Sequence, residues 1–153
     1  PRGVSCRDAE RGDKMIGTLS NHTSIFLAWF PVLVMVIFGL PMLVAPMKWG
    51  RMIGFRLPEH TDLAVYFGRS LGVALSGLSL AAYGASNYAP AQGVVMDALI
   101  LTAGLYVLVH VYGAVMRIQP LVETLEIAFF SGLVLLMLAV YPVGGESGLL
   151  RGW

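Results

Sequence analysis

Long stretches of apolar residues dominate the chain, and short polar segments separate them. The first stretch runs from residue 24 to residue 46 without a charged side chain. Three more follow at residues 63–86, 93–116 and 120–143. An α-helix rises about 1.5 Å per residue and the hydrocarbon core of a bilayer is about 30 Å thick, so each stretch is long enough to cross it. The pattern predicts four transmembrane helices.

The connections between the last three stretches are short, at residues 87–92 and 117–120. Short connections make successive helices antiparallel neighbours. We therefore expect an all-α fold, an integral membrane four-helix bundle with up-down-up-down topology, over residues 24–143. A polar N-terminal tail at residues 1–20 and a short C-terminal tail at residues 144–153 flank it.

Composition supports a membrane protein. The 153 residues are 57% hydrophobic and only 12% charged, whereas an ordinary soluble domain carries about 25% charged residues. The net charge of +1 leaves no strongly basic surface, which argues against a nucleic-acid partner. Lipids and other membrane protein subunits are the expected partners, in a bacterial inner membrane or an organelle membrane.

The distribution of basic residues predicts an orientation. Lys48, Arg51 and Arg56 in the first loop and Arg117 in the third lie on one side of the membrane, whereas the middle loop is uncharged. Basic loops generally face the cytoplasm, so both termini are expected on the non-cytoplasmic side. Basic residues in the N-terminal tail argue for the opposite orientation.

The first loop, residues 47–62, interleaves basic and apolar side chains. This pattern is typical of a segment at the level of the lipid headgroups. Recognition of anionic lipid and ordinary interfacial anchoring both fit it. The predicted headgroup contacts are Lys48, Trp49, Arg51 and Arg56.

Small residues recur every four positions in the second stretch, which places each set on one helix face. Such faces let transmembrane helices approach closely. This helix is therefore expected to pack on more than one side. The two sets are Gly68, Gly72 and Ser76, and Gly77, Ala81 and Ala85.

Ionisable residues within the stretches are costly to place in lipid. Arg69, His110, Glu123 and Glu126 all fall at about the same depth, and Arg117 lies in the adjoining loop. An arginine in hydrocarbon needs a carboxylate. We expect Arg69 to pair with Glu126 and Glu123 to lie nearer Arg117, with His110 bonded into the same polar layer.

Several interpretations of this layer remain open. It can be an ion pair that fixes helix register, a pocket for a quinone, lipid or other amphiphile, or a proton or redox relay through His110 and Glu126. Haem or a chlorin pigment with His110 as its single axial ligand is a less favoured alternative. The Cys and His residues follow no metal-binding spacing, so the sequence predicts neither a metal site nor a resident cofactor.

No nucleophile–base pair, nucleotide motif or other catalytic motif is visible, and the chain is not expected to be an enzyme. Asp97 is the remaining ionisable residue in a stretch. Because it lies near the start of the third stretch, it is predicted to complement a helix dipole in the first turn.

The overall plan of residues 24–143, with FGRSLGVALSGLSL in the second stretch and LYVLVHVYGAVMR in the third, resembles the DoxX-like group of small four-helix membrane proteins. That resemblance implies an accessory role in a membrane redox system. The polar tail and the long first loop depart from the compact plan of that group.

Three functions are therefore considered. The first is a non-catalytic accessory subunit of a larger membrane complex, respiratory or photosynthetic. The second is a small homo-oligomeric carrier or quinone- or lipid-binding protein that uses Arg69, His110 and Glu126. The third is an electron-transfer subunit with a haem or pigment on His110.

Overall fold

The computed structural model describes residues 16–143 and 148–149. Over these residues the chain is helical and forms no β-strand. The first predicted span is a 3-10 turn (Ser20–His22), α1 (Thr23–Val34), a π-helical segment (Met35–Gly39) and α2 (Leu40–Val44). The chain continues through α3 (Pro46–Met52), α4 (Asp62–Ala85), α5 (Ala89–Met116) and α6 (Leu121–Ala139).

The all-helical prediction is confirmed. Four helical segments are long and apolar enough to cross a membrane, namely Ser20–Val44, α4, α5 and α6, which fits a multi-pass membrane protein. The third span begins at Ala89, earlier than predicted, because Pro90 occupies its first turn, where the missing N–H costs no helical hydrogen bond. The predicted tails lie largely outside the described residues.

The two prolines of the first span have different consequences. Pro31 lies inside α1, whereas Pro41 follows the π-helical segment Met35–Gly39. Pro41 has no N–H to donate to the carbonyl of Ile37 four residues earlier. The indole Nε1 of Trp49 donates to that carbonyl instead, at 3.0 Å. A side chain of α3 thus satisfies the backbone group that the proline leaves open.

The first span packs against α4 at very short range. A Cβ built on Gly72 would lie 2.5 Å from the backbone nitrogen of Leu43 and 2.7 Å from the carbonyl oxygen of Gly39. A Cβ built on Gly68 would lie 2.5 Å from the Cβ of Pro46. Only glycine permits this approach of two backbones.

The second set of small residues on α4 has different surroundings. Gly77 and Ala81 are exposed, and in the described chain no other group would lie within 4 Å of a Cβ on Gly77. Ala85 at the end of the helix is buried. Within the set that faces the first span, Ser76 has a buried hydroxyl with no hydrogen-bond partner among the described residues. One face therefore packs inside the molecule, and the other faces outward at Gly77 and Ala81.

The four spans form two antiparallel helical hairpins. The first span packs along α4, and α5 packs along α6. The contact between α4 and α5 is less extensive, and in the described structure α1 and α6 do not pack along their lengths. The hairpins therefore diverge from the end at which they are joined.

That joined end, which we call the clasped end, is held by hydrogen bonds. The hydroxyl of Thr23 donates to the carbonyl of Val140 at 2.6 Å, which links the start of α1 to the end of α6. The Nε2 of Gln92 on α5 donates to the hydroxyl of Ser24 and to the carbonyl of Ser86, each at 3.0 Å. All four spans meet here.

The buried apolar core is concentrated towards the same end, and the space between the hairpins further along is not filled by side chains. A cavity results between the two hairpins. The buried core residues are Leu27, Ala82, Ala85, Met96, Ala103, Met137, Val140 and Tyr141.

Candidate functional site

The cavity between the hairpins has a volume of about 740 Å³. Side chains of all four spans line it, and most of them are apolar. Trp49 and Phe55, from the first loop, contribute to the same wall. Apolar wall residues include Phe30, Ile37, Leu75, Leu99 and Leu133.

Ionisable side chains line the cavity at the end away from the clasped end. They are His110 on α5 and Glu123 and Glu126 on α6, which we call the His110 triad. The Nε2 of His110 lies 3.1 Å from an oxygen of Glu123 and 3.1 Å from an oxygen of Glu126. The histidine is 4% exposed, and the two glutamate side chains are 15% and 20% exposed. The triad is therefore largely shielded within the protein.

The turn between α5 and α6 brings the three side chains together. Helix α5 ends with Arg117 in the left-handed conformation at φ 55°, and the N–H of Ile118 donates to the carbonyl of Gly113. This is the Schellman ending of a helix. Because α6 begins immediately afterwards, Glu123 and Glu126, one turn apart, lie opposite His110.

Gln119 braces this turn. Its Nε2 donates to the carbonyl of His110 at 3.0 Å and to the hydroxyl of Thr124 at 3.2 Å. The Gln119 side chain occupies the space that a Cβ on Gly113 would need. The end of α5 is thus fixed against the start of α6 at the level of the triad.

The orientation of the His110 ring is also fixed. Its Nδ1 lies 2.7 Å from the carbonyl oxygen of Tyr106. Since a carbonyl only accepts, Nδ1 carries a proton and Nε2 points to the carboxylates. The ring of Phe130 lies 5.3 Å from that of His110 and stacks on Tyr106 at 5.0 Å. Both ring nitrogens therefore have partners, and an axial haem ligand would have to give up the carboxylates.

The two arginines predicted to complete the polar layer lie elsewhere. Arg69 and Arg117 are exposed, and neither forms an ion pair with a residue that the structure describes. The expected Arg69–Glu126 pair is not formed, because α4 turns Gly68 and Gly72 towards the first span. Arg69 borders a shallow surface pocket with Tyr66 instead. The sequence did not predict the rotation of α4 about its axis, which turns Arg69 outward.

The predicted headgroup residues separate into two groups. Lys48, Arg51 and Arg56 are at least partly exposed, as a headgroup contact requires. Trp49 turns back onto the first span, where its ring lies edge-to-face on Phe38 at 5.4 Å and lines the cavity. Trp49 is thus a wall residue of the cavity as well as an interfacial one.

Asp97 belongs to the clasped end. The prediction that it lies in the first turn of its helix was wrong, because α5 starts at Ala89. The carboxylate is 8% exposed and accepts hydrogen bonds from the hydroxyl of Tyr141 at 2.9 Å and from the backbone N–H of Leu149. Asp97 therefore ties the segment after α6 to α5.

Sequence reasoning missed two features of the site. One is the cavity, which depends on the divergence of the hairpins. The other is a cluster of metal-ligating atoms, since one atom each of His110, Glu123 and Glu126 lie within 4.8 Å of one another. The sequence signal that could have indicated the cluster is the Glu-x-x-Glu spacing of Glu123 and Glu126, which lies at about the depth of His110 on the preceding helix.

Comparisons of the chain with models of protein families, with curated proteins and with solved structures each found no match. The DoxX-like resemblance therefore stays a prediction.

Proposed function

We propose that the protein binds a lipophilic molecule with an oxygen-bearing head group, such as a quinone or a lipid, in the cavity between its hairpins. The observation that carries the proposal is a cavity of about 740 Å³ with apolar walls and ionisable groups at one end. Ligand pockets commonly measure about 300–1,000 Å³ and combine apolar walls with a few polar groups.

The polar groups of the cavity favour a defined orientation for the ligand. The hydroxyl of Thr102 donates to the carbonyl of Ala98 in its own helix, at 2.7 Å, and so is already satisfied. The His110 triad is the remaining convergent cluster, and the stacked rings of Tyr106 and Phe130 form a flat wall beside it. We expect the head group at the triad and the apolar part between the hairpins.

Trp49 supplies a direct test, because its indole lines the cavity. In a variant with Trp29→Phe and Trp153→Phe, Trp49 is the only tryptophan of the chain. Titration with a soluble short-tail quinone should quench its fluorescence with saturation. Mass spectrometry of organic extracts from the purified protein should identify a bound quinone or lipid.

Two substitutions test where the ligand lies. Ala103→Phe puts a ring into the cavity wall and should abolish saturable quenching, whereas Val109→Phe puts a ring on the exposed side of the same helix and should not. Folding of both is checked by size-exclusion chromatography. Equal quenching in the two variants, or no saturable quenching in the parent, would contradict the proposal.

A second proposal is that the protein is also an accessory subunit, with another membrane protein lying along α4. The supporting observation is an exposed stripe of small residues with a heptad-like spacing. Transmembrane helices associate through such faces. Arg69 adjoins the stripe and has no acidic partner among the described residues. The stripe is Ser70, Ala74, Gly77, Ala81 and Gly84.

A native gel of membranes extracted in mild detergent tests this second proposal, with every band identified by mass spectrometry. Co-migration with a respiratory or photosynthetic complex would support an accessory function. Gly77→Leu should then release the chain, whereas Leu80→Ala, on another exposed position of α4, should not. If the unsubstituted chain already migrates alone, the proposed accessory function is excluded.

We also propose that the loops bearing Lys48, Arg51, Arg56 and Arg117 face the cytoplasm. Cys6 is the only cysteine, so a Cys6→Ser, Glu59→Cys variant carries a single thiol in the first loop. A membrane-impermeant maleimide should label Cys6 of the parent in intact cells. It should label the thiol introduced into the first loop only after permeabilisation. The reverse result would invert the topology.

A haem or chlorin pigment on His110 has less support, because the Nε2 of His110 already lies beside two carboxylates. A visible absorption band in the purified protein would favour it.

A further inference from the structure

The chemistry of the His110 triad goes beyond a polar end for a cavity. The Nδ1 proton of His110 is donated to the carbonyl of Tyr106, so Nε2, which faces the two carboxylates, is the ring nitrogen that can bind a metal ion in place of a proton. This is the arrangement found around metal-bound histidines, in which the second ring nitrogen donates to a carbonyl or a carboxylate.

The triad places two carboxylates beside one imidazole nitrogen, which favours a cation. Two carboxylate oxygens, one each from Glu123 and Glu126, lie 3.1 Å from the same nitrogen. No lysine or arginine pairs with either glutamate among the described residues. With both glutamates ionised and the imidazole neutral, one divalent ion would balance the charge of the triad, and a buried uncompensated charge is costly.

The distances fit a metal ion. Two ligand atoms that each lie about 2.1 Å from an ion, at a right angle, are about 3.0 Å apart. The observed separations from Nε2 are 3.1 Å, and the three ligand atoms lie within 4.8 Å of one another. We propose that His110, Glu123 and Glu126 bind one divalent transition-metal ion.

The ligand types narrow the class of ion. Imidazole nitrogen with carboxylate oxygens suits Zn²⁺, Fe²⁺ and Mn²⁺, whereas Mg²⁺ prefers oxygen ligands and retains its waters. The three ligands that the cluster offers are one imidazole and two carboxylates, none of which is a thiolate.

The location of the triad gives the ion access to the cavity. All three side chains line the cavity, so coordination positions not taken by the protein face it. An oxygen of a bound head group can occupy one of them. This last point rests on the proposed lipophilic ligand, but binding of the ion by the triad does not.

Metal content tests the proposal without any lipophilic ligand. The full chain in detergent is treated with a chelator, incubated with Zn²⁺, freed of excess metal and analysed by elemental mass spectrometry. We expect one zinc ion per chain. His110→Gln, Glu123→Gln and Glu126→Gln should each weaken binding by about tenfold or more.

The matched control is a Glu59→Gln, His60→Gln double variant, which removes an exposed glutamate and histidine from the first loop. It should retain the zinc. Loss of zinc from this control with retention in the triad variants would show surface binding only and overturn the proposal. A wild-type protein that retains no zinc would also overturn it.

A second measurement guards against variants that fail to fold. Mn²⁺ bound to the wild-type protein gives an electron paramagnetic resonance signal, which Zn²⁺ should displace and excess Mg²⁺ should not. Displacement by Mg²⁺ would contradict an imidazole ligand. Zinc binding without quinone quenching would refute the cavity ligand alone, and quenching without zinc would refute the metal site alone.

Discussion

The two ends of the space between the hairpins both hold buried polar groups, but the balance of hydrogen-bond donors and acceptors differs between them. At the clasped end the carboxylate of Asp97 accepts from two donors, the hydroxyl of Tyr141 and the N–H of Leu149. At the other end, one nitrogen of His110 faces the oxygens of Glu123 and Glu126. The clasped end has enough donors, whereas the triad has an excess of acceptors.

This difference separates structural groups from a binding site. A buried polar group with all its partners stabilises the arrangement that supplies them. A cluster of acceptors without enough donors does not stabilise the fold by itself and is completed by a proton, an ion or a ligand. The hairpins are therefore held together at one end and are available for binding at the other.

Asp97→Ala should have the largest effect on stability. The substitution removes the carboxylate that accepts from the hydroxyl of Tyr141 and from the N–H of Leu149, at a cost of about 4 kcal/mol. The free energy of unfolding in detergent measures it. Asp62→Ala, at the exposed start of α4, is the control and should cost far less. Similar losses of stability in both variants would contradict a structural role for the clasped end.

Replacing the whole triad should have the opposite effect on the free energy of unfolding. Converting His110, Glu123 and Glu126 to leucine together should leave stability unchanged or raise it by about 2 kcal/mol, because burying ionisable groups is costly. The same unfolding measurement applies. His110→Ala alone should destabilise the protein, since it leaves two carboxylates together. A large loss in the triple variant would mean that the triad stabilises the fold as the clasped end does.

Thr23→Val tests the hydrogen bond that joins the two hairpins. The valine keeps the shape of the side chain but removes the hydroxyl that donates to the carbonyl of Val140, at a cost of about 1.5 kcal/mol. Thr102→Val is the control, because its hydroxyl bonds only within its own helix. If both variants unfold at the same denaturant concentration, the hydrogen bond between the hairpins adds no more stability than one within a helix.

Trp49→Phe should have the smallest effect. It removes the hydrogen bond to the carbonyl of Ile37 but keeps an aromatic ring beside Phe38, so we expect a loss of about 1 kcal/mol. Trp29→Phe, on an exposed side chain, should be neutral in the same assay. A loss of stability in Trp49→Phe but not in Trp29→Phe would show that α3 stabilises the cavity end of the first span.

The sequence predicted the spans well because lipid imposes a strong and simple constraint. Apolar stretches long enough to cross a bilayer are recognisable without any tertiary contact. The same reasoning placed His110, Glu123 and Glu126 at one depth, since depth follows from counting residues along a helix. It failed for Arg69, because counting residues does not show that this side chain faces outward.

Details that depend on neighbours were less predictable. The role of Trp49 required knowing that Pro41 leaves the carbonyl of Ile37 without a donor and that α3 folds back beside it. The hydrogen bonds of Asp97 required the segment after α6 to return to α5. Neither partner is close in sequence, so no local pattern could identify it.

By itself the sequence determined four apolar helices and the depth of their ionisable residues, because hydrophobicity and helical rise are properties of each segment alone. Only the tertiary structure decided which way each helix is turned, how the hairpins diverge, and that His110 meets both glutamates beside a cavity. Those features depend on rotation and packing between segments, and the approach of Gly72 to Gly39 and the hydrogen bonds of the clasped end fix them.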